Sequence, residues 1–243
     1  MLRDEYFRRL VDEAHIELYL SSNDGARVFW PWRMRPPKEA RMSYRNACER
    51  YIIDSDPLDD SVTTEDVFDC AHKLDAEVAS LQDVYHDKEA TVDSLLKGLE
   101  IADDHAFDGQ LLLPLQDPFV ECYKELGEPS EHMIGIGGLK KAAPHRRIKT
   151  VKTFREEVGY EPWLHGFGWG LSGGLDSTIR QNPELLDSVD YTTPIQTAVN
   201  KVDLAGEERM SVQAMHAATR LVQDLRKVTP YPSNEDDEYL RED

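Results

Sequence analysis

Two aspartates, Asp54 and Asp190, each end a short apolar run of the sequence. Such a run is typical of a buried strand, and in a barrel of parallel strands the residues at the carboxyl ends face one pocket. Two carboxylates in one pocket can divide their roles, because the more solvated one stays ionised as a nucleophile while the other holds or moves a proton. Retaining glycosyl transfer works in this way, through a covalent bond between one carboxylate and the sugar. Taken singly, each aspartate could also be a helix cap or a turn residue.

Two further polar residues, Asp83 and Gln116, end apolar runs in the same manner. A carboxylate that accepts two N–H bonds and an amide that offers one donor and one acceptor suit the edge of a guanine-like heterocycle. Polar strand ends that recur in this way favour a common site over unrelated turns. We therefore predict that Asp83 and Gln116 recognise the substrate.

A third kind of signal is the apolar run that ends in Gly137-Gly138, which indicates a strand whose following loop brings bare backbone against a ligand. His165, in another glycine-rich segment, could hydrogen-bond a ligand or a catalytic carboxylate, or be a structural histidine. The histidines show no metal-ligand spacing, and the three cysteines lie far apart without a Cys-x-x-Cys spacing, which indicates a reducing compartment. We predict neither a metal site nor a cofactor.

A basic segment follows the two glycines. No acidic residue occurs between Glu131 and Glu156, and the cations in this segment are Lys140, Lys141, Arg146, Arg147, Lys149, Lys152 and Arg155. They could form a track for nucleic-acid phosphates, or a helix that balances acidic neighbours. A second stretch, residues 26–42, interleaves arginines with Trp30 and Trp32; it could stack a base or clasp phosphates, or simply pack over a barrel end.

The net charge of the whole chain argues against nucleic-acid binding. With 47 acidic and 28 basic residues the net charge is −19, which would repel nucleic acid at low salt. We interpret this acidity as a coat suited to concentrated salt, the condition of a halophilic source, where the screening length falls to about 3 Å at molar concentration. No apolar run approaches the roughly 20 residues of a membrane span, so we expect a soluble, cytoplasmic protein with no membrane partner.

The elements that must position these residues alternate between strand and helix. Strands are predicted at residues 16–20, 51–54, 78–83, 110–116, 132–139, 163–168 and 188–192, and helices at 3–14, 43–50, 63–74, 89–102, 118–126, 145–158, 183–186 and 205–228. This order predicts an α/β fold, a TIM-type (β/α)8 barrel, with an eighth strand that is either irregular or missing. Residues 1–233 are expected to form one catalytic domain and residues 234–243 an acidic, disordered tail.

Several of these segments occur in the order found in the tRNA-guanine transglycosylase superfamily, which the chain resembles over about residues 43–195. They are Asp54-Ser55, Asp83, Gln116, Gly135-Ile-Gly-Gly-Leu139, His165-Gly-Phe-Gly168 and Leu186-Asp-Ser-Val-Asp190. In that family a barrel exchanges guanine for a 7-deazaguanine base in nucleic acid. The chain looks most similar to the divergent branch that modifies DNA in phages and archaeal viruses.

The resemblance implies roles for individual residues. Asp54 would be the general acid and base, and Asp190 the nucleophile that takes C1′ of the nucleoside; Asp187 is its rival, and strand alternation lets only one of the two face the pocket. The implied substrate-binding residues are Ser55, Asp83, Gln116, Gly137, Gly138, Leu139, His165, Gly166 and Phe167.

The family's cysteine and histidine zinc site is absent, and Tyr191-Thr-Thr-Pro194 stands where Pro-Thr-Arg usually follows the nucleophile. These departures favour DNA over tRNA as the substrate, with preQ0 or preQ1 as the incoming base. Two alternatives stay open at this stage. One is a barrel that binds a phosphorylated small molecule at Gly137-Gly138. The other is a degenerate barrel that binds nucleic acid or a partner transglycosylase through residues 30–45, and the sequence leaves a homodimer or a partner subunit equally open.

Overall fold

Eight parallel strands close into a barrel in this computed structural model, which describes residues 8–21, 29–56, 59, 61–171, 175–191, 216 and 219–229. The strands are β1 (Glu17–Leu20), β2 (Trp32–Arg35), β3 (Arg50–Ile53), β4 (Val78–Ser80), β5 (Gln110–Leu115), β6 (Met133–Ile136), β7 (Trp163–Gly166) and β8 (Ser188–Tyr191). Each strand pairs with the next along the chain, and β1 pairs with β8. The predicted (β/α)8 barrel is confirmed, and it is complete.

The strand that the sequence did not reveal is β2. Its four residues are all buried, and the guanidinium groups of Arg33 and Arg35 lie 5.5 and 5.0 Å from the ring centre of Tyr44. A buried strand with two arginines has no apolar run to mark it, since its charges are stabilised by an aromatic face that comes from elsewhere in the chain.

The two tryptophans and the arginines of β2 are therefore not available to nucleic acid. Trp30 is 1% exposed and donates its indole N–H to the carbonyl of Leu18 at 2.7 Å, and Trp32 is also buried. The hypothesis that these tryptophans stack a base is wrong, as is the proposed phosphate clasp for Arg33 and Arg35. The packing alternative is the one observed, and residues 22–28 lie outside the described part of the chain.

Helices cover the outside of the barrel. They are α1 (Met42–Arg45), α2 (Thr64–Leu74), α3 (Lys88–Asp104), α4 (Phe119–Glu125), α5 (Pro144–Val158) and α6 (Leu175–Gln181), with further helical residues at 8–12 and 219–228. The predicted helix at 183–186 is wrong, because those residues form a turn after α6. The predicted acidic tail lies outside the described residues, as does most of the segment between 192 and 218.

The amino end of the barrel is closed by a polar cluster of residues that begin strands. Arg50 donates to Gln110 at 2.6 Å, lies 3.5 Å from the carboxylate of Glu17, and has its guanidinium 5.0 Å from the ring centre of Trp163. These contacts satisfy a charge that would otherwise be costly to bury. The carboxyl ends of the strands are thus the end at which a ligand could enter.

Arg155 on α5 joins three segments of the chain. Its side chain is buried and donates to the carbonyls of Leu185 at 3.1 Å and Pro162 at 2.8 Å, and to the carboxylate of Asp187 at 2.8 Å. We expect Arg155→Ala to lower the free energy of unfolding by roughly 3–5 kcal/mol, because it leaves buried acceptors unpaired. Chemical denaturation would measure this loss, with the exposed Lys152→Ala on the same helix as control. Equal stability of the two variants would contradict the prediction.

Candidate functional site

A cavity of about 360 Å³ opens at the carboxyl ends of the strands. The residues predicted from the sequence that line it are Asp54, Ser55, Asp83, Gln116, Gly137, Gly138, Lys140, Phe167 and Asp190. Four residues not predicted from the sequence, Asp56, Tyr85, Pro114 and Gly168, line it as well. The volume lies at the lower end of the range of small-molecule sites and is adequate for one heterocycle with its sugar.

The two carboxylates face this cavity from strands on different sides of the barrel. Asp54 follows β3 and Asp190 lies in β8. Burial is the main cause that raises the pKa of Asp54, and the negative charges of Asp190, Asp56 and Asp83 add to it. Together they raise this pKa to about 7. Asp54 can therefore exchange a proton with a ligand near neutral pH, which an ordinary aspartate cannot do.

Asp190 has a different environment. Burial raises its pKa too, but the backbone N–H of Gly168 donates to its Oδ1, and the ammonium of Lys140 also opposes the rise. Gly168 has φ of +65°, and a Cβ there would lie 3.4 Å from the Lys140 side chain. Glycine at this position thus lets the loop after β7 present its N–H to the carboxylate. The N–H donor and the nearby cation favour the charged form of Asp190 against the effect of its burial.

Asp83 and Gln116 form one hydrogen-bonded pair. The side-chain amide of Gln116 donates to the carboxylate of Asp83, and its oxygen accepts the backbone N–H of His86 at 3.1 Å. Because a backbone N–H can only donate, the amide orientation of Gln116 is determined by this contact. The pair therefore presents an acceptor, Asp83, beside a donor, the amide nitrogen of Gln116.

The walls of the cavity are formed by glycine backbone, two aromatic rings and a serine hydroxyl. Gly137 and Gly138 lie beside the Gln116 side chain, where a Cβ on either would be about 4 Å from it. The ring of Phe167 and the half-exposed ring of Tyr85 line the cavity. The hydroxyl of Ser55 is buried and has no hydrogen-bond partner among the described residues, so it is available to a ligand.

Asp187 is not part of the cavity. Its carboxylate accepts the guanidinium of Arg155 and, at 2.7 Å, the backbone N–H of Leu164, on the amino-terminal side of β8. This corrects the expectation that Asp187 could replace Asp190 as the nucleophile. The physical reason is that Asp187 precedes its strand, whereas Asp190 lies near the strand's carboxyl end.

Three other predicted contacts also lie away from the cavity. His165 is fully buried in the barrel, its Nδ1 is 2.8 Å from the hydroxyl of Ser188, and burial lowers its pKa to about 3. It is a neutral structural histidine, so its expected bond to ligand is corrected. Gly166 packs under the ring of Trp169, and Leu139 packs on the core. None of the three lines the cavity.

The basic segment divides into structural and exposed cations. Arg155 is buried, and Arg147 donates to the carbonyls of Lys140, Ala142 and Trp169, so it holds the loop before α5 and is not the phosphate contact that we predicted. Lys140, Lys141, Arg146, Lys149 and Lys152 are exposed. Within the described ranges none of these five lies within 4.0 Å of a carboxylate.

The part of the chain that the structure describes contains no group of three or more His, Cys, Asp or Glu side chains arranged to hold a metal ion. Its three cysteines are free thiols. None of the described helices is both long and apolar enough to cross a membrane.

No protein-family model matches the chain, and no curated protein matches it either. Among solved structures, it is similar to the YdjI aldolase from Escherichia coli K12, with a TM-score of 0.61 and 12% sequence identity. That similarity covers 90% of this chain and 94% of the aldolase chain. At so low an identity the similarity concerns the fold and not the site. The chain is therefore a (β/α)8 barrel whose candidate site occupies the carboxyl end of its strands.

Proposed function

We propose that the protein is a guanine transglycosylase that exchanges guanine in DNA for a 7-deazaguanine base of the preQ0 or preQ1 type. One observation carries the proposal: Asp54 and Asp190 line the same cavity, and the pKa of Asp54 is raised to about 7 by burial and by the charge of Asp190. A proton-exchanging carboxyl group beside a charged carboxylate is the pair that retaining glycosyl transfer needs.

The pair formed by Asp83 and Gln116 supports guanine as the base. Guanine presents two N–H donors, N1 and N2, beside the O6 acceptor, and these match the Asp83 carboxylate and the Gln116 amide nitrogen. Adenine presents an acceptor at N1 and a donor at N6, which would place like groups against each other. Discrimination of this kind is strong, because a mismatched base leaves buried polar groups unpaired.

The reaction would proceed in two displacements. In the first, a carboxylate oxygen of Asp190 bonds to C1′ as the bond from C1′ to guanine breaks, and protonated Asp54 gives its proton to the departing base. In the second, Asp54 takes a proton from the incoming deazaguanine, whose ring nitrogen bonds to C1′ as the Asp190 ester bond breaks. Each carboxyl group returns to its starting state, and the sugar retains its configuration.

The exposed cations beside the cavity support a nucleic-acid substrate. Lys140 lines the cavity itself, and Lys141, Arg146 and Lys149 follow it in a chain of net charge −19. Cations with no carboxylate within 4.0 Å can exchange their counterions for phosphates at little cost. The target guanine must leave its stack to enter the cavity, so the bound nucleotide would be flipped.

Incubation with labelled guanine and either duplex DNA or tRNA in molar salt tests the proposal. We expect label to enter DNA, and a covalent protein–DNA adduct to be trapped by denaturation. Label that enters tRNA alone would overturn the choice of DNA and favour the tRNA-modifying alternative. Binding of nucleic acid without exchange of label in either substrate would favour a degenerate barrel that acts as a binding module.

A further inference from the structure

A second cavity, of about 860 Å³, lies outside the barrel between α4 and α5. Its lining includes Pro118, Phe119 and Phe154, and the basic side chains of His145, Arg146 and Lys149. We call this cavity the α4–α5 groove. The proposed exchange reaction uses none of its residues at the reacting atoms.

The groove has an apolar floor and one cationic wall. Phe119 and Phe154 are buried beneath it, whereas Arg146 and Lys149 are exposed on the α5 side, one helical turn apart. The α4 side contributes the carboxylates Asp117 and Glu121, and its one cation, Lys124, pairs with Glu157 of α5. The cations that line the groove without a carboxylate within 4.0 Å among the described residues are those of α5. An anionic ligand with an apolar portion would therefore lie along α5.

The two ends of the groove also differ. At the far end Lys124 and Glu157 form an ion pair at 3.8 Å, which neutralises both charges. At the near end, by the barrel mouth, Arg146 lies in the first turn of α5 and has no carboxylate within 4.0 Å among the described residues. Arg146 and Lys149 thus lie toward the end nearer the catalytic cavity, on the wall opposite Asp117 and Glu121.

Residues close together in the sequence link the groove to that cavity. Gln116 lines the catalytic cavity, and the next residue, Asp117, lines the groove. On the other side, Lys140 lines the cavity and His145, five residues later, lines the groove. A chain molecule with one unit in the cavity would place its neighbouring unit at the entrance of the groove.

We propose that the α4–α5 groove binds the nucleotide next to the one whose base is exchanged. Arg146 and Lys149 would contact its phosphodiester groups, and the apolar floor its sugar or base. This rests on the proposed function. DNA whose target nucleotide is extruded offers neighbouring nucleotides that a groove on the protein surface can bind.

The test is binding of a fluorescein-labelled single-stranded oligodeoxynucleotide, followed by fluorescence anisotropy at several KCl concentrations. We expect the double variant Arg146→Glu/Lys149→Glu to bind at least about tenfold more weakly, with the slope of log K against log salt reduced by roughly 0.7 for each lost phosphate contact. Lys152→Glu is the matched control, because Lys152 is exposed on the same helix but does not line the groove. It should change the affinity far less.

A variant that keeps the net charge distinguishes binding in the groove from general electrostatic attraction to the protein. Thr153 is exposed and lines the groove, so Thr153→Trp should fill part of it and weaken binding without any change of charge. Equal losses from Lys152→Glu and from the double variant would overturn the proposal. So would a double variant that binds as the unmodified protein does but changes from dimer to monomer, since the groove would then hold a second copy of the chain.

Exchange of labelled guanine, measured on the same variants, keeps the two proposals distinct. If oligonucleotide binding depends on Arg146 and Lys149 but the protein has no exchange activity, the result supports binding in the groove and contradicts the transglycosylase proposal. If the double variant exchanges guanine normally and its oligonucleotide affinity is unchanged, the groove proposal is wrong and the transglycosylase proposal is unaffected.

Discussion

Asp190→Asn should abolish the covalent protein–DNA adduct and lower guanine exchange by roughly 10⁴-fold or more, the loss typical when a nucleophile is removed. Asparagine keeps an oxygen that the N–H of Gly168 can contact, so the loop after β7 should retain its position. What is lost is the anionic oxygen that bonds to C1′. Single-turnover release of labelled guanine and a denaturing gel for the adduct would measure both effects, while the oligonucleotide affinity should stay close to that of the unmodified protein.

Asp187→Asn is the matched control for this experiment, because both aspartates belong to one Asp-Ser-Val-Asp run. Its side chain keeps an acceptor for Arg155 but loses the charge of the ion pair, so it should unfold at a lower temperature. Below that temperature it should still form the adduct. An adduct that depends on Asp187 and persists in Asp190→Asn would show that the nucleophile is wrongly assigned.

The positions of Asp54, Asp83, Gln116 and Asp190 around one cavity were predictable because the strands are parallel. Each residue comes at the end of an apolar run, and parallel strands in a closed barrel bring all their carboxyl ends to the same face. No knowledge of side-chain partners is needed for that inference. It uses only the direction of the chain and the burial of the strand.

Some features that the sequence did not predict depend on partners distant in the chain. Asp187 precedes β8 and Asp190 lies near its carboxyl end. The sequence does not show which of the two faces the cavity, whereas the contact of Asp187 with Arg155, 32 residues earlier in the chain, does. His165 lies within β7, but its bond to Ser188 is made to the neighbouring strand β8. Tyr85 follows β4 in a turn and carries no pattern that predicts a place in the cavity.

The cations illustrate the same difficulty. Arg147 and Arg146 are adjacent in the sequence and equally basic, yet Arg147 donates to three carbonyls while Arg146 faces the groove. Helical periodicity separates the faces of α5, but it does not say which face a neighbouring loop will cover. Composition thus located the basic segment without separating its structural members from those free to bind a ligand.

The second large effect is expected at Asp54. Because the departing guanine needs a proton, the first displacement should require protonated Asp54, and kcat/KM should fall as the pH rises through about 7, the pKa of this carboxyl group. Asp54→Asn should lower exchange by roughly 10²–10⁴-fold and remove this limb of the pH profile. A profile that keeps the same limb in Asp54→Asn would assign the proton to another group.

The same variant should be more stable than the unmodified protein at alkaline pH. The pKa of Asp54 is about 7 in the folded protein and near the ordinary value of 3.8 when unfolded, so the folded state binds the proton more tightly. Its stabilising contribution is complete below about pH 4 and is lost as the pH rises to about 7, since above that pH folding must bury a charge beside Asp190. Asp54→Asn removes this cost, which is on the order of 1–4 kcal/mol.

Denaturant unfolding at several pH values measures the difference between the two proteins. We expect it to be largest at about pH 8 and to disappear toward pH 4, whereas Asp93→Asn, at an exposed position of α3, should show no such dependence. A pH-independent difference would mean that Asp54 is not held near neutrality by its surroundings. Lower activity together with higher stability is expected when the replaced carboxyl group is placed for chemistry. Replacement of a group placed for folding would lower both activity and stability.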